Sequence, residues 1–147
     1  MKICVVSDSH GDTQVLEKIY NANPNCNIYL HLGDSLLDEH YLHQFVSVKG
    51  NCDYFSDFPL YRIISTSFGN IYAEHGHIHG RGSINLLKQN NCKVYLYGHT
   101  HIHRIEEVNG YYFINPGSCS LPRDGTSGTY LIIDVEGDKI NFEFKEI

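Results

Sequence analysis

Short apolar runs, each broken by a polar residue, set the first divisions of the chain. KICVVSD and NIYLHLGD are β-rich and end on Asp8 and Asp34, and both predict strands. Between them DTQVLEKIYNANP has helical spacing, with Asp12 as N-cap and a stop near Pro24. Together they predict a βαβ unit. The spacing of LLDEHYLHQF predicts a further helix with His40 and His43 at polar positions, and FVSVKGN a strand that breaks at Gly50.

The second half changes character. LYRIISTSFGNIYAEHG sets Gly69-Asn70 between two strand-like runs, predicting a hairpin that ends at His75. SINLLKQNN predicts a helix capped by Ser83, CKVYLYGHTH a buried strand, and RIEEVNGYYFINPGS a hairpin about Asn109-Gly110. GTYLIIDVEGDKINFEFKEI folds back about Glu136 to Asp138. Sequential βα units followed by hairpins predict an α/β fold of two packed mixed sheets with helices outside them.

Composition narrows the function classes. The 147 residues are 41% hydrophobic and 19% charged, which predicts one domain over 1–147 with a core of its own. The N-terminal apolar run is too short for a signal-peptide core, and no segment approaches the roughly 18 apolar residues of a membrane span. Cysteines at 4, 26, 52, 92 and 119 show no CxxC spacing, so reduced thiols and a cytoplasmic location are expected. A net charge of −6 and no basic run argue against gripping a nucleic-acid duplex. Ten histidines stand against eleven Lys plus Arg, clustered in EHGHIHG and GHTHIHR, and imidazoles beside carboxylates point to metal.

The polar residues at the ends of the predicted strands are Asp8 and His10, Asp34, Asn51, His75, His99 and His101. Ligand sites in α/β sheets form outside the carboxyl ends of strands, so these side chains are expected to converge. They exceed the roughly four donors of a tetrahedral zinc site and suit two dications sharing a carboxylate. Any one of them alone reads as an ordinary turn or surface residue; the joint pattern does not.

DSHG, GD, GNCD, HGH and GHTH occur in that order, and the series resembles the motifs of the calcineurin-like metallophosphoesterases. INPGS, LPRDG and GTYLIIDV are similar to the C-terminal part of the small capless branch of YfcE-like phosphodiesterases. The resemblance covers nearly the whole chain. It implies the metallo-dependent phosphatase fold, a four-layer α/β/β/α sandwich of two mixed sheets flanked by helices. It places Asp8, His10, Asp34 and His101 around one divalent metal and Asp34, Asn51, His75 and His99 around the other, with Asp34 as the bridge. Manganese is the first expectation for the two ions, with iron, zinc or nickel as alternatives.

That resemblance implies hydrolysis of a phosphate ester, diesters before monoesters, by a hydroxide that bridges the metals. Asp34, Asn51, Asp53 and His75 are the catalytic candidates, with Asp53 expected to accept a hydrogen bond from an imidazole. His77, matching the second His of the branch's HGH, is a candidate for lining the pocket, and His79 and His103 read as solvent-facing loop residues. Arg123 either contacts a substrate phosphate or pins its loop by a salt bridge, and NPGS at Asn115 to Ser118 reads mainly as a turn.

Cys52 stands where many family members carry His. A thiol is a poor general acid near neutral pH, redundant as a nucleophile and soft as a ligand, so it reads as a small space-filling side chain at the substrate side. The rival function is a protein-binding scaffold like the retromer subunit on the same fold; all seven ligand positions carrying competent side chains weighs against it. The expected partner is a small phosphate ester, with room for a homo-oligomer.

Overall fold

The computed structural model describes residues 1–147. The elements are β1 (Lys2–Val6), α1 (Thr13–Ala22), β2 (Ile28–His31), β3 (Phe45–Ser47), β4 (Tyr61–Ile64), β5 (Asn70–Glu74), α2 (Ile84–Gln89), β6 (Cys92–Leu96), β7 (Arg104–Val108), β8 (Tyr111–Asn115), β9 (Thr129–Glu136) and β10 (Lys139–Glu146). They form two five-stranded sheets, ordered β10-β9-β1-β2-β3 and β4-β5-β6-β8-β7. Both are mixed: β1, β2 and β3 run parallel, as do β5, β6 and β8, with antiparallel neighbours at the sides.

The twofold side-chain period of the strands builds the layers. In β1, Ile3 and Val5 face the other sheet and join Leu30, Leu32, Ile71, Val94, Leu96 and Ile114 in one core. Cys4 and Val6, on the opposite face, pack with Leu16 and Ile19 of α1. On the outer face of the second sheet, Tyr72, Tyr95 and Phe113 pack with Leu87 of α2. Three apolar layers therefore lie between four layers of structure, α/β/β/α, as the sequence predicts.

Local signals account for most boundaries. Asp12 accepts a hydrogen bond from Val15 N, and Ser83 from Leu86 N, so both predicted N-caps are in place. Asn109 and Gly110 have φ of 51° and 82°, the left-handed pair that a two-residue hairpin requires. The helix expected over LLDEHYLHQF is absent. Only one 3₁₀ turn forms, at Glu39–Tyr41, without a side-chain cap. Leu36 and His43 have φ of 56° and 55°, which breaks a right-handed helix at both ends, and only Leu42 of the segment is fully buried. His40 therefore lies in the 3₁₀ turn and His43 in the loop that follows it. No helix is long and apolar enough to cross a membrane.

Candidate metal centre

The parallel strands of both sheets deliver their carboxyl ends to one edge of the sandwich. There the two sheets are stitched by the residues of interest. His75 Nδ1 donates to Leu32 O at 2.7 Å, and His99 N donates to Asp8 Oδ2 at 3.0 Å. Two groups of donors result, Asp8 with His10 and His101, and Asp34 with His75 and His99, the donor atoms of each lying within 4.8 Å of one another. Asn51 Oδ1 reaches His99 Nδ1 at 3.1 Å and joins the second group. The groups touch through His10 Nε2 and Asp34 Oδ2, 4.0 Å apart, and through His75 Nε2 and Asp8 Oδ1 at 3.8 Å.

The hydrogen bonds define the tautomers. His75 and His101 spend their Nδ1 protons on Leu32 O and Leu121 O, so each neutral ring presents an Nε2 lone pair. Those lone pairs face carboxylate oxygens, 3.2 Å from Asp34 Oδ2 for His75 and 3.3 Å from Asp8 Oδ1 for His101. Lone pairs facing lone pairs repel unless a proton or cation lies between them. Asp8 Oδ1, His10 Nε2 and His75 Nε2 are buried and have no hydrogen-bond partner, and native structures rarely leave such atoms unsatisfied. Mixed N and O donors of this kind fit divalent cations.

Backbone conformation points the same way. Nine non-glycine residues have positive φ, and Asp8, His10, Asp34, His99 and His101 are five of them. Strain concentrated on so few residues is characteristic of functional loops whose surroundings hold them in place. Two glycines make room for the carboxylates: a Cβ on Gly50 would overlap Asp34 Oδ1, and one on Gly98 would collide with Ser7 Oγ and crowd Asp8. The G of GNCD and of GHTH is thus a packing requirement.

Electrostatics keeps both acids ionised. Burial pushes Asp34 up, but the His75 imidazole and the Cys52 N–H outweigh it and hold the carboxyl at about 2. Asp8 is likewise lowered: burial opposes ionisation, and His101, His75 and the Ser7 hydroxyl overcome it. His75 is raised despite its burial, because Asp34 and Asp8 face it, and His101 is raised by its contact with Asp8. These imidazoles bind a proton where a cation would also be favoured.

Around the donors lies a supporting set that sequence reading identified only in part. Asp53 is buried, and it accepts from Asp34 N at 2.8 Å, Gly50 N at 2.7 Å and Leu36 N at 3.1 Å. Its partners are backbone amides, not the imidazole expected, so it holds the Asp34 and Asn51 loops in register without touching a reacting group. Ser7 Oγ donates to Asp8 Oδ2 at 2.6 Å, and Ser118 Oγ to Asp8 O at 2.8 Å. Asn115 bonds Gly98 O, Thr100 Oγ1 and Gly117 N, the structural turn expected of NPGS.

His31, whose place in NIYLHLGD marks it only as a mid-strand side chain, belongs to the same set. It is fully buried; its Nδ1 accepts from Gly33 N at 3.0 Å, so Nε2 donates to Ser9 Oγ at 2.8 Å. It links the loop of Asp8 and His10 to the loop of Asp34. Burial lowers its pKa to about 4, and protonation would set an N–H against the N–H of Gly33.

The remaining candidates border the centre. His77 is exposed, its ring 5.5 Å from that of His75 and 6.4 Å from that of His99. His79 instead contacts buried Glu74 at 2.6 Å, and His103 contacts Asp124 at 2.7 Å, so neither is a free solvent-facing imidazole. Arg123 is exposed and its backbone N–H donates to His101 O at 2.9 Å. Its loop is pinned by Asp124, which accepts from His103 N and Thr126 Oγ1. Cys52 is half-buried and its N–H donates to Asp34 Oδ1 at 2.8 Å; burial and then Asp34 raise its thiol pKa, leaving a neutral S–H near pH 7.

Known proteins resemble this chain over most of its length. The profile of the calcineurin-like phosphoesterase superfamily domain matches residues 1–138. Probable metallophosphoesterase YsnB of Bacillus subtilis is 32% identical, over 98% of this chain and 90% of that protein. Phosphodiesterase YfcE of Escherichia coli is 29% identical, over 91% of this chain and 88% of that one. A predicted phosphoesterase from Streptococcus pneumoniae superposes with a TM-score of 0.84 at 27% identity, covering 99% of this chain and 88% of that one. Chaetomium thermophilum Vps29 shares the fold at a TM-score of 0.78 and 17% identity, covering 100% of this chain and 95% of that one.

Proposed function

The chain belongs to the calcineurin-like phosphoesterase superfamily, and on that premise we propose that it is a metal-dependent phosphodiesterase, one domain over 1–147, with a two-cation centre. The observation that carries the reading is the pair of donor groups that approach each other through His10 and Asp34 and through His75 and Asp8, with buried N and O atoms left unpartnered between them. Asp8, His10 and His101 would hold one cation, Asn51, His75 and His99 the other, and Asp34 both. Manganese is the first candidate, with iron, zinc and nickel as alternatives.

When bound, two dications supply Lewis-acid stabilisation of a phosphoryl group and a nucleophile acidified to react near neutral pH. The chain's own residues do the rest. Asp8 and Asp34 stay ionised and set the net charge of the site. Leu32 O and Leu121 O hold two imidazoles in the tautomer that presents Nε2. Asp53 and His31 keep the three donor loops at fixed spacing. The neutral Cys52 thiol contributes no nucleophile. Burial and the neighbouring His75 and His99 lower the pKa of His77, so little of it carries a proton to donate at neutral pH, which favours esters with good leaving groups over alkyl monoesters. Five free cysteines agree with a reducing cytoplasm.

The test is metal-reconstituted hydrolysis of mono- and diesters with metal content measured on the same sample. Diester turnover that tracks bound metal is expected. Full metal occupancy with no turnover on any ester would overturn the reading and favour the scaffold alternative, for which the likeness to Vps29 is compatible and nothing in the site argues.

A further inference from the structure

Beside the second donor group lies a cavity of about 360 Å³, lined by Leu36, Leu37, Tyr41, Tyr54, Phe55 and Cys52 among others. Its apolar walls are unusually open for a soluble protein: Phe55 is 100% exposed, Tyr54 75%, Tyr41 59% and Leu36 47%. Scattered exposed apolar residues need no explanation, but a contiguous group of aromatic and aliphatic side chains does. Larger cavities of about 570 and 530 Å³ open along β3 and β4; the smaller one is set apart by Cys52 and Asp53 in its lining, the two residues that bond the Asp34 carboxylate and amide.

This smaller cavity adjoins the metal centre through Cys52 and Asp53. Cys52, one of its lining residues, donates its N–H to Asp34 Oδ1 at 2.8 Å. Asp53, which holds the amide of Asp34, also holds that of Leu36, and Leu36 is kept at a left-handed φ of 56°. A leucine gains nothing locally from that conformation; its effect here is to direct an apolar side chain outward next to the carboxylate shared by both donor groups.

The lining chemistry selects an occupant. No lysine or arginine lines the cavity and Asp38 stands at it, so a second anionic group on the substrate would meet repulsion and no compensating cation. Exposed tyrosine and phenylalanine rings offer flat faces on which another ring can stack. We propose that this cavity is the subsite for a planar, uncharged aromatic group carried on one ester arm of a phosphodiester. The inference rests on the phosphodiesterase reading for the phosphate and on the cavity alone for the ring. Stacking is tolerant of ring identity, so the subsite selects aromatic over aliphatic arms and discriminates little among rings.

The experiment separates the two. The metal-free protein is titrated with phenol, and in parallel with cyclohexanol, adenosine and inorganic phosphate, followed by amide NMR shifts. Phenol is expected to move the amides of Cys52, Tyr54 and Phe55 saturably, with cyclohexanol binding about fivefold more weakly and phosphate leaving those three unmoved. Adenosine competing with phenol would identify a nucleobase as a source of the ring, and adenosine failing while phenol binds would identify a simple aryl group; either supports the subsite. The Tyr54→Ala, Phe55→Ala double variant, altering only exposed side chains, should abolish the saturable shifts. In the metal-loaded enzyme it should raise KM for bis(4-nitrophenyl) phosphate about tenfold with little change in kcat. Equal binding of phenol by the variant, equal affinity for cyclohexanol, or self-association of the wild type that the variant abolishes would overturn the proposal. Ring binding in a wild type that turns over no diester would count against the phosphodiesterase reading, not against the ring site.

Discussion

The two donor groups are built to different tolerances. In the first, Asp8 and His101 are buried, and each is fixed by a contact with the protein, Asp8 by Ser7 and His99 N, His101 by Leu121 O. In the second, Asp34 and His75 are equally buried, but Asn51 and His99 are exposed and their side chains meet each other at 3.1 Å. The first group is fixed at Asp8 and His101, and only His10, half-buried and with Nε2 unpartnered, can adjust. The other has a fixed floor and an adjustable rim on the side where the aromatic cavity opens. Preorganised donors lose less entropy on binding, so the first group should fill first and bind more tightly, and the second should sense the substrate.

The change that tests both groups at once is Asp34→Asn. It should remove at least about a thousandfold of diesterase activity and lower metal content in both groups, since it takes charge from each. Full metal content and turnover in this variant would end the shared-carboxylate account. His99→Ala comes next. It alters only the rim, and should reduce bound metal from two toward one per chain with about a hundredfold loss of activity. If it empties both groups, the asymmetry described above is wrong.

His31→Gln sharpens the comparison from behind, because His31 spans the loops of both groups without reaching a metal position. It should weaken metal binding about tenfold at both groups alike, as loss of an outer hydrogen-bond partner does. It also has a signature in pH. The folded protein holds His31 at about 4, below its ordinary 6.5, so the unfolded chain takes up the proton first. Its contribution to stability is complete above about pH 6.5 and lost as pH falls toward 4. Asp34, held at about 2 against an ordinary 3.8, adds a second loss below pH 3.8 by the same reasoning. The melting temperature of the metal-free protein should therefore fall in two stages on acidification, and His31→Gln should remove the upper one.

The smallest effect is expected at Cys52. Cys52→Ser should keep diesterase activity within about threefold, since a hydroxyl can serve the thiol's partners, Asn51 Nδ2 and the Asp34 carboxylate, and the backbone N–H to Asp34 is unchanged. Cys52→His, which adds a proton donor, should gain monoesterase activity. Loss of several orders of magnitude in Cys52→Ser with metals bound would assign the thiol a chemical role.

The layer order, the strand sequence and the convergence of seven donors were legible because each follows from short-range pattern: an apolar run, its period and the polar residue that ends it. What was not legible depends on partners distant in sequence. Leu30 and Leu32 turn inward to the sheet core, so His31 must face the other way, yet nothing in NIYLHLGD reveals Ser9 waiting there. Asp53 reads as a companion of the metal loops, but only the structure shows that its partners are amides. The segment at Leu36 to Phe45 has helical spacing and is not a helix, because two left-handed residues interrupt it and only Leu42 and Phe45 are buried. The exposed rings of Tyr54 and Phe55 lie in a stretch whose pattern predicts no element at all.

The most direct measurement is anomalous diffraction from crystals grown with manganese. The account expects two peaks roughly 3.5–4 Å apart, one among Asp8, His10 and His101 and one among Asn51, His75 and His99, with the Asp34 carboxylate contacting both. A single peak, or two peaks with Asp34 bound to only one, would contradict it.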